Sequence, residues 1–178
     1  MNDHEHDQTS IVTTLFAHNG WATRKLLDFC EQLSDAHLDA TAIGGFGSIR
    51  DTLWHIVGAE VSYVSRVNGK LPPQPVARDR FPGFAVMKDV AHWTNHELLQ
   101  LALAAQPDTL VTEREGPDHV AYPLASLMMQ AINHATEHRA QIAAIITQLE
   151  MEPPDMSGWR YMEERGRFKE WRTGVDDA

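Results

Sequence analysis

The stretch LASLMMQAINHATEHRAQIAAIITQL, residues 124–149, decides the fold. It holds no Gly or Pro and reads as a helix of about seven turns. At helical spacing Leu127, Ala131, Ile142, Ile145 and Leu149 share one narrow stripe. His134 and His138 fall in the middle of that stripe, so two imidazoles at i and i+4 point together toward the core. Two readings are open. Each histidine is a core residue satisfied by a hydrogen bond, which needs several buried partners at once. Or the pair binds a metal ion, since imidazole is the commonest protein ligand and this spacing brings two to one ion. The second reading requires a third ligand from elsewhere in the chain.

Working outward, three further helices are expected over residues 10–33, 49–68 and 84–105. In the first, Val12, Leu15, Phe16, Ala22, Thr23, Leu26, Cys30 and Leu33 make the inward stripe, with Asn19 at its centre. A buried Asn wants partners, through an interhelical hydrogen bond or in a pocket. Cys30 reads as a buried small hydrophobe rather than a nucleophile. The connection that follows is rich in Asp, Gly and Ala and ends in GGFG, residues 44–47.

Ser48 and Asp51 resemble a capping box opening the second helix. Its core face is Ile49, Leu53, Ile56, Val57, Val64 and Val67. His55 lies on the flank of that face, where a side chain lines the edge of the core. Glu60 falls within the apolar face and must be paired or protonated, with no partner evident from sequence. The third helix carries a second i,i+4 pair, His92 and His96, opposite its apolar stripe; these read as surface residues. TLVTE and HVAY, separated by Gly116 and Pro117, can pair as a short hairpin, and Pro123 suits the first position of the last long helix. The tail holds the aromatics Trp159, Tyr161, Phe168 and Trp171, so at least its first part is expected to pack back onto the helices.

Four long amphipathic segments imply an all-α, four-helix bundle with a short hairpin before the last long helix. Residues 1–9 are expected to be a disordered tail, 10–165 the bundle and 166–178 a C-terminal tail. The 178 residues suffice for one domain, and 43% apolar content is ordinary for a soluble protein. With 25 acidic against 15 basic residues the net charge is −10, which disfavours nucleic acid and anionic membranes as partners. No apolar run spans a bilayer, the start MNDHEHDQTS is no signal peptide, and a single Cys fits a reducing cytoplasm. Met128, Ile132, Ala135 and Ile146 form a second apolar band on the last long helix, from which a homodimer is expected.

If the second and fourth long helices are neighbours, His55 can join His134 and His138. Three neutral imidazoles leave a fourth position for water or a substrate thiolate, the arrangement of a catalytic rather than a closed structural zinc site. WHI (54–56) with NHATEHRAQI (133–142), and AHNGWATRKLL (17–27), resemble the DinB/YfiT-like family of bacterial proteins. The resemblance implies an up-down-down-up bundle whose metal ligands are His55, His134 and His138. Where the family often has a second His, Glu137 stands, and Ala140 stands where Gly is frequent after the Arg. Relatives include transferases and isomerases using low-molecular-weight thiols. The expected function is a metal-dependent enzyme acting on a small molecule, a thiol S-transferase or a hydrolase. The alternative is a non-catalytic metal-binding stress-response bundle. Zn is the first expectation for the divalent ion, with Ni, Mn and Fe also accepting imidazole, and a low-molecular-weight thiol is the candidate cofactor. Asn19, Glu60, Asn133 and Glu137 are candidates to orient the ligands. No Gly-x-Ser-x-Gly elbow or phosphate-binding Gly loop offers another chemistry.

Overall fold

Ser48 opens the helix that carries His55. Its hydroxyl accepts from the Asp51 N–H at 3.1 Å while the Asp51 carboxylate accepts from the Ser48 N–H at 3.4 Å. This reciprocal cap starts the helix at Ile49 and so sets the turn on which His55 falls. Gly69, in the left-handed region at φ 70°, ends it. The computed structural model describes residues 10–74, 80–106 and 108–168.

Among the described residues the chain is mostly helical: α1 Ile11–Cys30, α2 Asp35–Leu38, α3 Ile49–Asn68, α4 Phe84–Ala104, α5 Leu124–Gln148 and α6 Gly158–Glu164. A small antiparallel sheet, β1 Leu110–Glu115 and β2 Asp118–Pro123, runs in register from Leu110↔Pro123 to Glu115↔Asp118. Gly116, at φ 60°, turns this hairpin, which lies where the sequence suggested one. Pro123 stands at the N-cap of α5, one residue earlier than expected. Its fixed φ of −60° leads β2 directly into the helix.

Two helices were not anticipated. α2 and α6 have only 4 and 7 residues, too few to show a period, and each begins at a serine whose hydroxyl accepts a backbone N–H. The long helices pack in a ring: α1 against α4 and α5, and α3 against α4 and α5. The adjacency of α3 and α5 is the condition the three-histidine reading required. No helix is long and apolar enough to cross a membrane.

The apolar interior falls into two clusters. One gathers Leu26, Ile56, Met87 and Ile142 with their neighbours, the other Phe16, Val64, Leu98 and Leu127 with theirs. A polar layer lies between them in sequence on α1, α3 and α4. Asn19 and Thr23 fall between Phe16 and Leu26, Glu60 between Val57 and Tyr63, and Thr94 between Ala91 and Leu98. α5 adds Arg139, 3% exposed. Its Nη1 donates to Asn19 Oδ1 at 2.8 Å and Thr23 Oγ1 at 2.9 Å, and Nη2 donates to Thr136 Oγ1 at 3.0 Å. Asn19 Nδ2 donates to one Glu60 oxygen at 3.0 Å, and the Thr94 hydroxyl to the other at 2.8 Å. The partners of Asn19 and Glu60 are thus each other, Thr94 and Arg139. Burial pushes the Glu60 carboxyl up, opposed by these hydrogen bonds and by the guanidinium. Burial also lowers Arg139 to about 10, which leaves it charged at neutral pH.

The stripe expected on α5 is buried at Leu127, Ala131, Ile142 and Ile145, but the buried face is wider than expected: Met128, Ala135 and Ile146, from the band first assigned to a dimer contact, are buried too, together with Arg139. That band is covered by the chain's own helices, so it supplies no argument for a homodimer. Cys30 is buried as expected, and desolvation pushes its thiol up to about 12. Of the tail aromatics, Tyr161 alone among the described ones is buried, edge-on to His18 and Trp21. Trp159 and Phe168 are exposed and meet each other, and Trp171 lies outside the described residues, as do the expected tail 1–9 and residues 169–178 of the expected tail 166–178.

Truncating one member of a buried charged network strands its partner. Arg139→Met should therefore destabilise the fold by about 3–5 kcal/mol, and adding Glu60→Leu should recover part of that loss. Urea unfolding of the two variants checks this. A cost below about 1 kcal/mol for Arg139→Met, within the range of a surface ion pair, would remove the network from its central place.

Candidate metal centre

α3 and α5 bring His55, His134 and His138 together at the flank of their interface. Each side chain is partly buried. The ring nitrogens lie within 4.8 Å of one another, and the ring centroids are 4.5–4.8 Å apart. His55 Nε2 and His134 Nε2 are in contact at 2.9 Å. Tyr63 meets the His134 ring edge-on at 6.0 Å, and no described acceptor reaches the buried His134 Nδ1. Among the described residues no fourth His, Cys, Asp or Glu joins the group.

Phe46, in the loop between α2 and α3, stacks on His55 with ring centroids 3.9 Å apart and planes 20° apart. It stands edge-on to His138 at 5.2 Å. Gln141, one turn along α5 from His138, places Oε1 2.9 Å from His138 Nδ1 and 3.2 Å from the Phe46 backbone nitrogen.

The site favours neutral imidazoles. Desolvation and the neighbouring His138 and His55 lower His134 to about 4. Desolvation and His138 also lower His55. At neutral pH both rings therefore keep a free lone pair, the form in which imidazole binds a metal. A shared metal also suits the Nε2–Nε2 separation. Two ligands held about 2.1 Å from one tetrahedral ion stand about 3.4 Å apart, so the two rings need part by only about half an ångström to share it.

The other candidates fall elsewhere. Asn19 and Glu60 direct their hydrogen bonds into the buried network rather than to the histidines. Asn133 and Glu137 are exposed, and no described hydrogen bond links them to the three rings. His92 and His96 are exposed, as expected, and lie outside the cluster. His92 lines a different groove, of about 820 Å³, between α1 and α4, together with Trp21, Lys25, Lys88 and Asn95. Sequence reasoning missed Gln141 and Phe46. Both left a signal: Gln141 is three residues beyond His138 and seven beyond His134, on their side of the helix, and Phe46 is the sole aromatic of GGFG.

A histidine held below its unfolded pKa gives stability that is present above that value and lost as pH falls toward the folded one. In metal-free protein, His134 should therefore contribute progressively less between about 6.5 and about 4. The stability difference between wild type and His134→Gln should shift in favour of the variant across that window. Denaturant melts at several pH values check this, and a constant difference would contradict the site's electrostatics.

No curated protein matches the chain. A family model described as the DinB family matches residues 1–173. Given this match across nearly the whole chain, together with three histidines gathered from α3 and α5, the protein belongs to the DinB family.

Proposed function

We propose that the protein is a metal-dependent enzyme, a thiol S-transferase or hydrolase acting on a small molecule, with His55, His134 and His138 as its metal ligands. The observation that carries this reading is the convergence of three ring nitrogens within 4.8 Å, two of them 2.9 Å apart. In this reading the long helices are the up-down-down-up four-helix bundle that the family resemblance implies. The ring of helix contacts supports that arrangement.

His134 and His55, lowered by burial, stay neutral and present lone pairs at neutral pH. A divalent ion bound there supplies positive charge that lowers the pKa of a thiol or water at its open position. The three imidazoles carry no charge of their own, so they leave that positive charge undiminished. Cys30, buried and pushed up to about 12, is not the nucleophile. One observation favours the alternative, a non-catalytic metal-binding bundle: no described carboxylate hydrogen-bonds to the three histidines, so the site lacks an evident proton acceptor.

Protein purified without an affinity tag should contain about one divalent ion per chain, Zn being the first expectation. His55→Ala, His134→Ala and His138→Ala should each abolish stoichiometric binding, while His92→Ala and His96→Ala should leave it intact. Elemental analysis of the five variants is the measurement, and retention of metal by all three ligand variants would sink the assignment. Screening the metal-loaded protein with low-molecular-weight thiols then separates enzyme from bundle. Spectral change of the cobalt-substituted protein on thiol addition, with transfer to an electrophile by the metal-loaded protein, is the result expected of the enzyme.

A further inference from the structure

The Gln141 carboxamide sits between two groups that do different work. Its Oε1 meets the Phe46 backbone nitrogen at 3.2 Å and His138 Nδ1 at 2.9 Å. A backbone N–H can only donate, so the amide must present its oxygen there rather than its NH2 group. That oxygen cannot donate in turn. The His138 nitrogen facing it must therefore carry the proton. In the neutral ring the lone pair is then on Nε2. One oxygen with two lone pairs satisfies both donors.

The other end of the contact is a glycine-rich loop. Residues 42–47 read AIGGFG, and Gly44 adopts φ 80°, a conformation other residues rarely take. The loop is pinned at its base by the Thr41↔Ser48 bridge and the Ile49 N–H donating to Ala40 O at 3.2 Å. Beyond that base, its described hydrogen bond to the rest of the chain is the one from Phe46 to Gln141. Phe46 is 51% exposed, yet its ring lies on His55 and against His138 rather than in the core. An aromatic ring stacked on one imidazole and edge-on to another covers that side of the cluster.

We propose that Phe46 is the cover of the three-histidine site and Gln141 its positioning residue. One carboxamide oxygen sets which nitrogen His138 turns to the site, and it latches the loop that lays Phe46 over His55. A molecule reaching the histidines from this side must displace or pass the Phe46 ring, which makes Phe46 a determinant of what enters. The inference rests on the metal-site reading for its functional meaning, but the latch itself is measurable without metal.

The test uses the full chain, metal-free. Three quantities are read: the His138 tautomer by nitrogen-15 NMR of the imidazoles, hydrogen exchange of the Phe46 amide, and acylation of His55 by diethylpyrocarbonate, located by mass spectrometry. Gln141→Leu keeps the size but accepts nothing. It should release the His138 tautomer, speed Phe46 exchange several-fold and raise His55 acylation several-fold. Gln141→Glu keeps an acceptor and should restore all three toward wild type, which a general packing defect would not do. Phe46→Ala should raise His55 acylation several-fold and leave the His138 tautomer unchanged. Should Gln141→Leu fail to fold, Gln141→Met serves as the second acceptor-free variant. An unchanged tautomer and unchanged Phe46 exchange without the acceptor overturn the latch, and unchanged His55 acylation in Phe46→Ala overturns the cover. Zinc titration of the wild type runs in parallel. A wild type that binds no zinc refutes the metal reading alone, because the three readouts above are taken without it.

Discussion

A guanidinium buried at 3% exposure is the constraint around which the helices assemble. Taking Arg139 out of water is costly unless its donors find acceptors, and those acceptors come from α1 and from α5 itself. Asn19 then passes the network to Glu60 on α3, and Glu60 to Thr94 on α4. All four long helices are thereby tied at one level. Sliding any of them by a turn would leave a charge or an amide unpaired between two apolar clusters. Apolar contacts alone would tolerate such a slip more readily, since they have no direction.

This layer also places the three histidines. Arg139 follows His138 directly, so its side chain is turned about 100° around the helix from the imidazole. With Arg139 directed inward, His138 and His134 are carried to the flank of α5 that meets α3. His55 waits on the flank of α3, five residues before Glu60, which belongs to the same polar layer. The register that satisfies the network is the register that lets the three rings meet. The histidines lie at the edge of this layer, partly exposed and joined by one hydrogen bond between His55 and His134.

The site has an inner and an outer boundary of different character. Inward are packed helices, with Tyr63 against His134. Outward is a glycine-rich loop that reaches over with one aromatic ring. The lowered pKa of His134 follows from this partial enclosure together with the proximity of two other imidazoles. A partly enclosed cluster of imidazoles beneath one aromatic ring differs from the wide, charged groove between α1 and α4, where Lys25 and Lys88 are already held by Glu164, Asp28 and Glu31.

Periodicity and capping chemistry are local properties, and they determined the four long helices, the Ser48 cap, the hairpin and the burial of Cys30. The i,i+4 spacing of His134 and His138, the flanking place of His55 and the family resemblance together singled out the three histidines before any geometry was known. The inward stripe of α5 was legible at Leu127, Ala131, Ile142 and Ile145, but the burial of Arg139 was not, because an arginine looks solvated until its acceptors on another helix are known. The partners of Glu60 and Asn19 were hidden for the same reason: they lie 34 to 120 residues away in the chain. Gln141 and Phe46 became meaningful only when a loop and a helix 95 residues apart met over one oxygen. A sequence read along one element can show what each side chain is able to offer. Only the tertiary structure decided what each was offered in return, since hydrogen bonds between helices depend on their register, which no single helix contains.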